Sequence, residues 1–152
     1  MSLPELLITI VIAGLLASLG TVHGGRSIAH QRLLNASRQL QLGLERARDQ
    51  AQASGSPCAL ELGRQGWQEP STGALPGCSA AIGPLLSGWS AQQLQLDHNL
   101  RVLRFTSNGL VLGGGTVWLQ WQDTDLVRCV VISLPLGISR HGIKQGGSCR
   151  PS

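Results

Sequence analysis

Hydrophobic and polar positions divide the chain into three regimes. From Leu6 to Gly25 no residue is charged, and Arg26 is the first basic one. Such a run is long enough to cross a bilayer as a helix, which needs roughly 20 apolar residues. Beyond it, Leu33, Leu40, Leu44, Ala47 and Ala51 recur at spacings of seven, four, three and four, which is one helix face. Arg32, Arg38, Gln39, Gln41, Glu45, Arg46 and Asp49 fill the remainder. No proline interrupts between Pro4 and Pro57, and Ser54-Gly55-Ser56-Pro57 is a stop signal. The pattern predicts one helix from about Leu3 to about Ala53, roughly 75 Å long at 1.5 Å per residue. Its first half is uniformly apolar and its second half amphipathic, the geometry of a stalk whose far end packs on a folded head.

From Pro57 the period shortens to two and turn residues punctuate it, which predicts strands. Cys58–Leu62 is one strand, Gly63 to Gly66 turns it back, and Trp67 to Glu69 begins its partner. Residues 70–88, rich in Pro and Gly, read as a loop tethered by Cys78. Leu100–Phe105 reads as a strand, Asn108-Gly109 is a hairpin signal, and Leu110–Leu112 returns. Thr116–Trp121 and Leu126–Ser133 pair across the turn at 122–125, and a last strand is expected near Ile138–Lys144. The expected fold class is α+β: a long N-terminal helix packed on a mainly antiparallel β-sheet head. Three segments follow: residues 1–25, the hydrophobic helix; residues 26–54, its amphipathic half; residues 55–152, a disulfide-stapled β-rich head.

Four glycines, Gly14, Gly20, Gly24 and Gly25, interrupt the helix, each costing about 1 kcal/mol against Ala in a helix interior. Gly20 and Gly24 form a G-x-x-x-G pair suited to close helix approach; a segment able to unwind is the competing reading. Pro4 suits the first helical turn, and Glu5 puts a carboxylate at the positive end of the macrodipole. In lipid that carboxylate costs roughly 2.5–3.5 kcal/mol, so a compensating partner is expected.

The 152 residues suffice for one small domain plus an anchor. A net charge of +4 is too small to imply nucleic acid by itself. Cys58, Cys78, Cys129 and Cys149 make an even set, which behind a membrane-inserted N-terminus suggests an oxidising compartment and two disulfides. Three connectivities are open; the sequence-local Cys58–Cys78 with Cys129–Cys149 is favoured, each bridge contributing about 3 kcal/mol in the chain-entropy model. Without a C-x-x-C pair no zinc site is expected, and no cofactor is called for. No G-x-S-x-G, P-loop or H-E-x-x-H is present, so the chain reads as a non-enzyme. His23 and His30 on the stalk, His98 in a turn and His141 in the tail read as surface residues. Trp67, Trp89, Trp118 and Trp121 read as core or sheet-face aromatics, with a sugar- or surface-binding platform the minor alternative.

Ser2-Leu3-Pro4-Glu5-Leu6-Leu7 ahead of an apolar helix resembles the mature N-terminus of type IV pilins and pseudopilins. That resemblance implies cleavage of a leader by a prepilin peptidase and methylation of the N-terminal amine of Met1. It also implies that Glu5 pairs with the N-terminal amine of a neighbouring subunit and sets register. Unwinding between Gly14 and Gly25 on assembly is a further implication. Within the head, Gly66-Trp67, Arg101 to Gly109, Gly115-Thr116, Leu119 and Arg128 to Ser133 resemble GspH/FimT-type pseudopilins and minor pilins. The implied function is a structural subunit of a type IV pilus or related filament. Its partners would be copies of itself or other pilins, the pilus assembly machinery, and the inner membrane before assembly, with the head periplasmic and then extracellular. A type II secretion pseudopilin and a DNA-binding minor pilin are the alternatives.

The DNA alternative concerns the tail. Arg128, Arg140, His141, Lys144 and Arg150 follow Asp125 with no acid among them. FimT-type proteins carry a G-R-x-R motif for DNA at this place. Here it reads Gly137-Ile138-Ser139-Arg140, so the first arginine is missing and Arg140 is the best-aligned residue. Arg140, Lys144 and Arg150 are the candidate DNA or anion contacts, expected to act through salt-dependent phosphate contacts.

Overall fold

The computed structural model describes residues 3–151, apart from the side chains at 3 and 19–23. A long helix, α1 (Leu3–Ser54), leads into ten strands, with a 3-10 turn at Ser79–Ala81 and a short helix, α2 (Ser90–Gln93), between them. It ends where Gly55 takes a left-handed φ of +61° and its N–H reaches the Gln52 carbonyl at 3.3 Å. The strands are β1 (Cys58–Leu62), β2 (Gly66–Gln68), β3 (Gly83–Pro84), β4 (Leu94–His98), β5 (Leu103–Phe105), β6 (Val111–Leu112), β7 (Gly115–Trp121), β8 (Val127–Ser133), β9 (Ile138–Gln145) and β10 (Ser148–Pro151). They form two five-stranded sheets rather than one, in the orders β3-β2-β1-β5-β6 and β10-β9-β8-β7-β4.

The break has a local cause. After β4 the chain leaves the second sheet and crosses to the first. Asn99 stays tied to the sheet it leaves, its Oδ1 accepting the Thr116 N–H at 2.7 Å. Residues 99–102 are therefore a crossover, and the strand expected from Leu100 begins only at Leu103. Residues 94–98, for which the sequence pattern predicts no element, pair with β7 as an edge strand, and His98 closes that strand rather than sitting in a turn. The Asn108-Gly109 hairpin joins β5 to β6. Gly109 adopts φ +76°, and its N–H donates to the Thr106 carbonyl at 2.8 Å. Gln52 Nε2 donates to the Asn108 carbonyl at 3.2 Å, which pins this hairpin to the end of α1.

Both sheets pack on one face of α1. Its buried residues are Ala29, Leu33, Ala36, Ser37, Leu40, Gly43, Leu44, Ala47 and Ala51. Large and small residues alternate there, so the sheets interdigitate with the helix at close range. Against them lie Leu60, Leu62, Leu103, Phe105, Val111, Val117, Leu119, Val130 and Ile132. The closest approach is at Trp67, only 3% exposed. Its indole N–H donates to the Leu40 backbone carbonyl at 3.1 Å, and its ring lies over Gly43, where a Cβ would overlap it. Two disulfides, Cys58–Cys78 and Cys129–Cys149, fasten the 70–77 loop to β1 and β10 to β8. The loop also pairs with β1 through Ala59 N–H to the Pro76 carbonyl (2.9 Å) and Cys78 N–H to the Ala59 carbonyl (3.0 Å).

Gly43→Ala discriminates this packing from simple helix propensity. On an exposed helix the change stabilises by about 1 kcal/mol. Here the methyl meets a buried ring, and overpacking of this kind costs about 1–3 kcal/mol. Urea titration of both proteins is expected to show a lower midpoint for Gly43→Ala; a higher midpoint would contradict the seating of Trp67.

Candidate functional site

The largest uncovered apolar surface lies on the first half of α1. Leu6, Leu7, Ile8, Ile10, Val11, Ile12, Leu15 and Leu16 are 48–66% exposed, all around the helix, and nothing in the head reaches them. A helix apolar on every side belongs inside lipid or a bundle. Glu5 stands exposed in the first turn of this segment. Met1 lies outside the described residues. Gly14 and Gly24 have open space where a Cβ would stand, and α1 is continuously helical through both and through Gly20, whose surroundings lie outside the described residues. In the single chain the glycines therefore leave notches on an unbroken helix. Among the described residues, no helix is long and apolar enough to cross a membrane, so the bilayer-crossing helix expected over Leu6 to Gly25 is not seen among them; the side chains at 19–23, within that run, lie outside the described residues.

The second cluster lies where α1 meets β8 and β9. His141 Nε2 is 2.8 Å from Gln41 Oε1, and Arg128 Nη2 is 3.5 Å from His30 Nε2. Burial lowers the pKa of His141, and the positive charges of Arg128 and Arg38 lower it further. Nearby, the Arg32 guanidinium is 4.2 Å from the ring centre of Trp89 and 5.2 Å from that of Trp121. Trp121 is buried, whereas Trp89 is 60% exposed and stacks on the helix from outside the core, unlike the core or sheet-face position expected of it.

The strand register separates the basic tail. Arg128 and Arg150 both pair with Ile143, so they share the face on which His141 meets α1. Arg140 pairs with Val131 and Lys144 with Cys149, on the opposite face beside the Cys129–Cys149 bridge. The period of two along β9 thus places Arg140 and Lys144 together and Arg150 away from them. A duplex touching all three would have to reach both faces of one sheet. Among the described residues, no group of three or more His, Cys, Asp or Glu is placed to hold a metal ion.

A family model described as type II transport protein GspH matches residues 36–135. The chain belongs to the GspH family. The match begins in the packed half of α1 and ends between β8 and β9, so it takes in the helix–sheet core of this GspH-family protein. It stops short of Arg140, Lys144 and Arg150 and begins after the apolar half of the helix. No curated protein and no solved structure matches the chain.

The half-buried His141 is expected to give the GspH-family head a pH dependence. Folding lowers the pKa of His141 below 6.5, so as pH falls the unfolded chain takes up the proton first. Stability is full above that value and declines as pH drops through it toward the folded-state pKa. Denaturation of wild type and His141→Gln, followed from about pH 8 to about pH 5, checks this. The advantage of wild type over the variant is expected to shrink toward acid; parallel curves would exclude the effect.

Proposed function

We propose that this chain is a structural subunit of a pilin-like filament, held in the inner membrane by α1 before assembly. The carrying observation is the uncovered first half of α1, eight large apolar side chains about half exposed on a helix whose other half buries one face under the head. Burying each further against lipid or a neighbouring helix is worth on the order of 1 kcal/mol. The segment therefore has no stable home in water. In the filament, α1 helices bundle at the centre and the β-rich heads coat them. Glu5 pairs with the N-terminal amine of a neighbour, which offsets the carboxylate's desolvation and sets the stagger between subunits. A prepilin peptidase would generate that amine at Met1.

The family match supports the type II secretion form of this reading, a pseudopilin in a short periplasmic filament, over an extracellular pilus subunit. Recovery of the chain in filaments sheared from the cell surface would favour the pilus form.

Glu5→Ala and Glu5→Gln test the register role. Both variants are expected to reach the membrane with a folded head, shown by protease resistance and intact disulfides, and to be lost from filaments. Incorporation at the wild-type level would remove Glu5 from the mechanism.

A further inference from the structure

On the face of the head away from α1, a cleft of about 620 Å³ opens between the first sheet and the 70–75 segment. Its floor is Ala59, Glu61 and Arg104 of the first sheet, and its far wall is the 98–102 crossover with Arg101. A second recess of about 530 Å³, toward Arg64 and Leu96, shares Glu61 and His98 with it. Together they form a groove beside β4, which ends the second sheet and has one unpaired edge. β4 borders the groove with Leu96 and His98, and an edge strand of this kind can accept an extended segment whose amides pair with it.

The charges select the sign of the occupant. Arg64, Arg101 and Arg104 line the groove, are exposed, and make no ion pair or hydrogen bond with any described residue. Glu61, the one acid on the wall, is already engaged: its Oε2 accepts the Ser71 N–H at 2.6 Å and the Ser71 hydroxyl at 2.7 Å. Those bonds hold its pKa below the usual carboxylate range. His98 Nδ1 is buried without a hydrogen-bond partner. Pro70, Leu75, Leu100 and Val102 supply apolar wall between the charges. The roof is fixed from below by the Cys58–Cys78 bridge and the Ala59–Gly77 pairing, so the cleft is preformed.

We infer that this groove binds an extended segment of another protein that alternates acidic and apolar side chains. Its acids meet Arg101 and Arg104, and its apolar residues face Leu75 and Leu100. A second copy of the chain is the poorer occupant, because each copy carries a net charge of +4. The inference is independent of filament assembly, since it concerns a surface of the head that a single detergent-solubilised chain presents.

The test is fluorescence anisotropy of the full chain in nonionic detergent with a labelled Glu-Val alternating peptide of about ten residues, long enough to span both recesses. Saturable binding that weakens with salt is expected. The double variant Arg101→Ala/Arg104→Ala should lose about tenfold or more in affinity, as for truncated charge pairs at an interface. Thr72→Trp, which fills the cleft without touching a charge, should also weaken binding. Arg140→Ala/Lys144→Ala, on the second sheet, should leave it unchanged. Equal binding of a Lys-Val peptide would overturn the inference. So would competition by free glutarate at the peptide's own concentration, or unchanged affinity in the Arg101/Arg104 variant.

Discussion

The close approach of α1 to the two sheets is the constraint on which the rest of this structure depends. One helix face must accept both sheets at once, and it does so because Ala29, Ala36, Gly43, Ala47 and Ala51 leave room between the leucines. Gly43 is the extreme case. A glycine in a helix interior costs about 1 kcal/mol in propensity, and here that cost is offset by a buried tryptophan whose indole N–H finds the Leu40 carbonyl. β2, which carries Trp67, is three residues long and would hold little by itself. Seated on the helix, it positions β1 and β3. The β5–β6 hairpin is tied to the helix end by Gln52, and β9 is tied to the helix by His141 and Gln41.

That packing divides α1 into two halves with different fates. The half under the sheets is satisfied within the chain. The half before it carries apolar side chains on all sides and a carboxylate in its first turn. Because the two halves form one continuous helix, whatever covers the first half also fixes where the head stands. In the proposed filament, a helix–sheet contact inside one subunit thereby sets how the heads are arranged. Gly14 and Gly24 precede the packed half, with open space where a Cβ would stand.

Much of this was legible in the sequence, and the exceptions have physical reasons. The helix, its stop at Gly55, the Asn108-Gly109 hairpin and the β7–β8 pair all carry strong local signals. Leu33, Leu40, Leu44, Ala47 and Ala51 mark the buried face in the sequence, whereas Ala36, Ser37 and Gly43 do not stand out, since small residues carry little hydrophobic periodicity. Their signal was spacing: Ala36, Leu40, Gly43 and Ala47 follow the same three-and-four rhythm. The strand at 94–98 carries a weak local signal, because its outward residues, Gln95 and Asp97, are polar and its pairing partner β7 lies far along the chain. Two sheets rather than one follow from a crossover at 99–102 that local propensity does not reveal. The tail read as one basic cluster because sequence proximity says nothing of faces; the strand period then separates Arg140 and Lys144 from Arg150. Trp89 is expected in the core or on a sheet face, yet it stacks instead with a cation from another element, Arg32.

In the proposed filament, the exposed first half of α1 is covered by the same region of other subunits. A photo-crosslinking residue at Leu16 or Ile12, introduced in cells that build the filament, tests it directly. Adducts joining this position to the N-terminal helix of another pilin-like subunit, identified by mass spectrometry and lost when assembly is blocked, are the predicted result. Adducts confined to lipid or to proteins outside the filament, unchanged by blocking assembly, would contradict it.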